Sequence, residues 1–177
     1  VWRGPMVSQA LQQLLFQSEW DNVDYLFVDL PPGTGDIQLT LSQKIPVTGA
    51  IVVTTPQDIA LIDARKAVDM FGKVNIPIFG VLENMSVHIC SHCGHHEPIF
   101  GQDGGKALAE RLGVPLLGQL PLSLPVREAM DSGSAAQMQA AHPAIAQIYT
   151  EAAWQTALAV AAKGKDFSNR FPQIVVE

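Results

Sequence analysis

Tyr25-Leu26-Phe27-Val28-Asp29-Leu30-Pro31-Pro32-Gly33 is the stretch on which the fold turns: a short apolar run that stops abruptly at prolines and a glycine. A run this short, apolar throughout and cut off by turn residues predicts a strand buried on both faces. Gly49 to Thr55 and Ile78 to Leu82 read the same way, and Leu116 to Leu120 is a weaker copy. Between the second and third runs, Leu61, Ala64, Val68 and Phe71 mark the inner face of a helix, with Asp58 placed to cap it. Between the third and fourth, Ala107, Leu108 and Leu112 mark another, closed by Gly113. Apolar strands alternating with amphipathic helices predict a layered α/β fold, a mostly parallel sheet with helices on both faces.

Pro5 suits the first turn of a helix, and Met6, Val7, Ala10, Leu11, Leu14 and Leu15 follow at spacings that predict one buried face. Pro143 opens a last helix running to about Ala162, alanine-rich on one side and carrying Ile145, Ile148, Trp154 and Leu158. Gly164 to Glu177 shows no periodicity, so the reading is one domain over 1–163 and an irregular, partly mobile tail over 164–177.

The bulk composition narrows the function classes. At 177 residues the chain can bury a core without disulfide staples. Apolar residues make up 47% and the mean hydropathy is +0.17, yet no apolar stretch approaches the ~18 residues that span a bilayer. No membrane partner is expected. The net charge of −6 comes without a basic cluster, so no nucleic-acid partner is expected either. Arg3, Gln9 and Gln12 interrupt any signal-peptide core, which points to the cytoplasm. The first residue is Val1 rather than methionine, and the expectation is that upstream sequence has been removed or never made.

Three stretches can carry chemistry. Asp29 sits where nucleotide enzymes place a carboxylate that holds magnesium or its water shell, and the N–H of Gly33 could meet a terminal phosphate. A Pro/Gly turn with a stabilising aspartate is the plainer explanation. Asn84 falls at the carboxyl end of the third run, where ligand crevices of α/β sheets lie, although such residues often only shape a turn. Gly101, Gly104 and Gly105 are compatible with a loop and a helix start.

Cys90-Ser91-His92-Cys93 carries the chain's two cysteines, flanked by His88, His95 and His96. Two thiolates at this spacing can grip one soft metal centre. Thioredoxin-like chemistry fits less well, because Gly94-His95-His96-Glu97-Pro98 is a poor helical start. Two cysteines make half of a four-thiolate site. Either histidines complete a zinc site within one chain, or two chains contribute a pair each across a twofold axis.

Together with Trp2-Arg3-Gly4-Pro5-Met6, Asp24 to Asp36, Thr55-Pro56-Gln57-Asp58, Glu83-Asn84-Met85-Ser86 and Phe100-Gly101, these stretches resemble one family. It is the Mrp/ApbC branch of the MinD and nitrogenase iron-protein class of phosphate-loop NTPases, a SIMIBI-type fold, whose members are iron–sulfur cluster carriers. The likeness runs from Trp2 to about Gly133 and its motifs are specific in combination. It implies that Asp29 is the magnesium-shell carboxylate, Gly33 the γ-phosphate sensor, and Asp36 a residue positioning the attacking water. It implies that Asn84 reads adenine, and that Cys90 and Cys93 bind a cluster, of 4Fe–4S type, shared with the same residues of a second chain. The implied cofactors are that cluster with ATP and Mg2+, and the implied partners are a second copy and apo iron–sulfur proteins.

One departure stands out. The family's phosphate loop ends in Gly-Lys-Ser/Thr, and Gly104-Gly105-Lys106 is no substitute, because it lacks the preceding strand and the following hydroxyl residue. The expectation is therefore a carboxyl-terminal part of the NTPase domain, inactive as an ATPase, with a missing strand between the Asp29 run and the Gly49–Thr55 run. A zinc-bound structural domain and a MinD-like positioning ATPase are the alternatives.

Overall fold

The computed structural model describes residues 4–30, 45 and 47–163. Eleven elements are labelled here in chain order. Helix α1 covers Gly4–Phe16, strand β1 Ala50–Thr54, helix α2 Asp58–Lys73 and strand β2 Ile78–Glu83. A short hairpin of β3, His88–Ile89, and β4, His96–Glu97, comes next. Then follow α3 over Gly104–Leu112, β5 over Leu116–Gln119, α4 over Leu124–Asp131, α5 over Ala135–Ala141 and α6 over Pro143–Lys163.

The sheet has the order β1-β2-β5 and both ladders are parallel. Parallel neighbours require crossovers, and α2 and α3 supply them. Both helices lie on one face, where Leu61 and Ala64 of α2 meet Leu108 and Ala109 of α3 over Val52 and Val81. On the other face α6 packs against β5 and β2 through small residues. A Cβ on Gly118 would lie 2.9 Å from that of Ala152, so the helix and strand backbones approach closely there. Two large side chains on α6 point away: Trp154 is 66% exposed and Leu158 58%.

Several expectations need correction. Tyr25–Leu30 forms no ladder with any described residue, and Tyr25, Leu26, Phe27 and Val28 are all exposed. Tyr25 and Phe27 still stack on the same side, ring centroids 6.5 Å apart, as alternate residues of an extended segment do. The segment and β1 line a common cleft of about 1000 Å³, so no described strand lies between them to complete a sheet. Only Leu30 is drawn into a core, with Met70, Phe71 and Ile76.

The apolar stripe of α1 is likewise uncovered at Met6 and Leu14, both more than half exposed. In α2 the capping position falls on Gln57, one residue before Asp58, and no side chain caps the helix. In α3 the inner face is Gly105, Leu108 and Ala109, with Ala107 turned to solvent. Gly113 closes α3 as expected, at φ +64°.

Candidate functional site

Because the strands run parallel, their carboxyl ends share one edge, and the chain continues there as Thr55-Pro56-Gln57, Asn84-Met85 and Leu120-Pro121. Crevices for ligands in α/β sheets form at this edge. The Asn84 N–H donates to the Thr54 carbonyl at 2.7 Å, which ties the end of β2 to the end of β1. Its side-chain oxygen accepts the Met85 N–H at 2.9 Å and fixes the plane of the amide. Met85 takes a left-handed conformation, φ +54°, and the chain turns sharply just past Asn84.

Asp29 lines the cleft beside β1 together with Thr54 and Thr55. It is exposed. The structure therefore places Asp29 across from the strand end to which Asn84 is tied. Gly33 and Asp36 lie outside the described residues.

Beyond Asn84 the chain runs outward as an arm. The Ser86 N–H and hydroxyl both donate to the Leu120 carbonyl, at 3.0 and 3.1 Å, and the Leu122 N–H donates to the Val87 carbonyl at 2.8 Å. A further bridge links His88 to Leu122. The arm ends in the β3–β4 hairpin, where His88 pairs with Glu97 and Ile89 with His96. Cys90 to Cys93 forms its tip. The Cys90 N–H donates to the His95 carbonyl and the Gly94 N–H donates to the Cys90 carbonyl, both at 2.9 Å. Gly94 sits at φ +70°, a conformation that glycine adopts without strain.

Both thiols are free, Cys90 partly exposed and Cys93 exposed. The Cys90 thiol is held below its ordinary range by the backbone N–H groups of Cys93 and His92 and by a hydrogen bond with the Cys93 side chain. Burial and the Glu97 carboxylate oppose this but do not cancel it. The turn thus favours the thiolate at Cys90 more than an ordinary thiol would be favoured, and the thiolate is the form that binds metal.

Among the described residues no group of three or more His, Cys, Asp or Glu side chains comes together to hold a metal. His92, His95 and His96 are exposed and His88 is half-buried, His88 and His96 each lying on a strand of the hairpin. One chain offers two sulfurs.

Sequence reasoning missed Glu83, a fully buried carboxylate at the end of β2. An acidic residue ending an otherwise apolar run was the available signal. The same residue accounts for the Gly104-Gly105 pair. A Cβ on Gly105 would lie 2.8 Å from the Glu83 Cβ, and one on Gly104 would lie 2.5 Å from the Pro56 carbonyl oxygen. Those glycines let α3 dock closely, and the loop-and-helix-start explanation is sufficient for them.

A family model described as ParA, the NUBPL iron-transfer P-loop NTPases, matches residues 1–157. The chain is 59% identical over 153 residues to the iron–sulfur cluster carrier protein of Pseudomonas fragi, covering 86% of this chain and 53% of that protein. It is 64% identical over 134 residues to the carrier protein of the same name from Escherichia coli K12, covering 76% of this chain and 36% of the relative. The chain thus spans about half or less of these relatives. Among solved structures, a nucleotide-binding protein of Archaeoglobus fulgidus in complex with ADP superposes with a TM-score of 0.65 at 30% identity, covering 73% of this chain and 53% of that one. With its parallel sheet, its two covered faces and its cysteine-tipped arm, the chain belongs to the ParA/NUBPL iron-transfer family of P-loop NTPases.

Proposed function

We propose that the chain is the cluster-binding part of an ATP-dependent iron–sulfur carrier. Two copies hold one 4Fe–4S cluster between their Cys90 and Cys93 pairs and deliver it to apoproteins in the cytoplasm. The observation that carries this reading is the Cys90–Cys93 turn. Two free thiols, Cys90 partly exposed and Cys93 exposed, stand at the tip of a hairpin, with backbone N–H groups favouring the thiolate at Cys90 and, among the described residues, no third ligand gathered beside them. A cubane takes about four thiolates, so a second copy completes the set by symmetry. An exposed tip also suits a cargo that must be handed on.

In the longer protein, Asp29 would face the magnesium shell from its side of the cleft, and Asn84 would offer its fixed amide to the adenine edge. Gly33 would sense the terminal phosphate and Asp36 would orient the attacking water. ATP supplies the conformational drive when bound. Without a phosphate loop these groups leave the β- and γ-phosphates unheld, so the 177-residue chain by itself is not expected to hydrolyse ATP.

Anaerobic reconstitution, with iron and sulfide counted alongside sizing of the product, tests the reading. The expected result is about four irons and four sulfides per two chains. A loaded form that is strictly monomeric would overturn it, as would equal uptake by the Cys90→Ser, Cys93→Ser double variant.

A further inference from the structure

Glu83 is 0% exposed, and a buried carboxylate is tolerated only where its oxygens are partnered. Both are. One accepts the Gly105 N–H in the first turn of α3, where the helix dipole favours negative charge, and the other accepts the Gln119 side-chain amide at 2.8 Å. A single side chain thus joins the ends of β2 and β5 to the start of α3.

The arm begins at the next residue. The Leu120 N–H donates to the Glu83 carbonyl at 2.8 Å, and the Ser86–Leu120, Val87–Leu122 and His88–Leu122 contacts continue the same alignment outward to within two residues of Cys90. The Glu83–Gln119 pair forms the base of this alignment.

We propose that Glu83 is a positioning residue, whose carboxylate clamp on Gly105 and Gln119 sets the direction of the arm that carries Asn84, Cys90 and Cys93. The iron readout below rests on the carrier reading, whereas the exchange readout does not. Gln119→Glu places a second carboxylate against Glu83. The swap Glu83→Gln with Gln119→Glu restores the clamp with roles reversed, because the new amide can accept from Gly105 and donate to the new carboxylate.

Amide hydrogen exchange by mass spectrometry, with iron and sulfide retention after reconstitution, reads the outcome. For Gln119→Glu, exchange over residues 84–90 should rise about tenfold while α2 and α6 stay near parental rates. Iron and sulfide retention should fall about fivefold or more. The swap should bring both within about twofold of the parent. Parental behaviour of Gln119→Glu overturns the proposal, and so does faster exchange spread evenly over the whole chain, which marks a merely structural role. A swap that leaves the arm loose, or fails to fold, overturns it too. If Gln119→Glu alone does not fold, the swap decides by the same two readouts. A parent that takes up no iron would sink the carrier reading, and the exchange pattern would still decide the role of Glu83.

Discussion

The Gly94 N–H meets the Cys90 carbonyl at 2.9 Å, and this hydrogen bond closes the turn on which both thiols stand. It forms because Gly94 holds φ at +70°, and a Cβ built there would meet nothing within 4 Å. Space is available, so any penalty for substitution comes from the backbone alone.

Gly94→Val should therefore leave the sheet intact and loosen only the tip. A β-branched residue in the left-handed region costs about 1–2 kcal/mol, close to tenfold in an equilibrium. Asparagine tolerates that region better, so Gly94→Asn should lie between valine and parent. Iron retention after reconstitution, measured beside the far-ultraviolet circular dichroism of each variant, checks the order. Equal retention by the valine variant and the parent would show that the turn need not be preformed.

The backbone donors around Cys90 give the turn a pH dependence of definite sign. The folded thiol lies below its ordinary range, so the folded turn favours the deprotonated form. That contribution is fully present above the unfolded value and is lost as pH falls through the folded one. Alkylation of Cys90 by iodoacetamide, followed by peptide mass spectrometry, should show a midpoint below that of the same chain in denaturant. A midpoint at or above the denatured value would contradict the arrangement of N–H groups.

The parallel layers were legible because their signals are local. Gly49–Thr55 and Ile78–Leu82 became β1 and β2 to within a residue, and the repeats at Leu61, Ala64 and Phe71 marked the buried face of α2. Tyr25–Leu30 carries the same apolar signal, yet it forms no ladder with any described residue, since composition reports a preference for burial and cannot supply a neighbouring strand. The alanine-rich side of the last helix was legible, and the structure shows its use: Ala152 meets Gly118 so closely that α6 lies against β5 there through small residues, while Trp154 and Leu158 are exposed.

The site was partly legible. Cys90, Cys93 and Asn84 stand out by residue type and by position at a strand end or turn. Glu83 did not, because its partners Gly105 and Gln119 lie 22 and 36 residues away and neither pairing leaves a periodic trace. The short helices α4 and α5, of eight and seven residues, also escaped notice. Two turns give too few repeats to establish a period.

The core on the α2–α3 face should dominate stability. Leu108 is 2% exposed and packs with Val52, Leu61 and Val81. Leu108→Ala should cost about 2–5 kcal/mol, combining lost transfer energy with a cavity. Trp154→Ala, at a 66% exposed site on the opposite layer, should change stability by about 0.5 kcal/mol or less. Urea midpoints at constant slope distinguish the two. A larger loss at Trp154 would mean that the outer side of α6 is covered in solution.

Asn84 offers the sharpest test of nucleotide reading. Its oxygen is already engaged by the Met85 N–H, and its backbone N–H is fixed to Thr54, so the amide is oriented before any ligand arrives. Preorganised in this way, it can donate to an adenine nitrogen at little ordering cost. Removing it should weaken a ligand that carries the base and spare one that does not. Asn84→Ala, made in the protein extended through its phosphate loop, should lose about fivefold to tenfold in affinity for ATP while inorganic triphosphate binds as before. Titration calorimetry with both ligands gives the ratio. Equal losses would reduce Asn84 to a turn residue whose tie to Thr54 shapes the strand end, and base recognition would have to be sought elsewhere along the cleft.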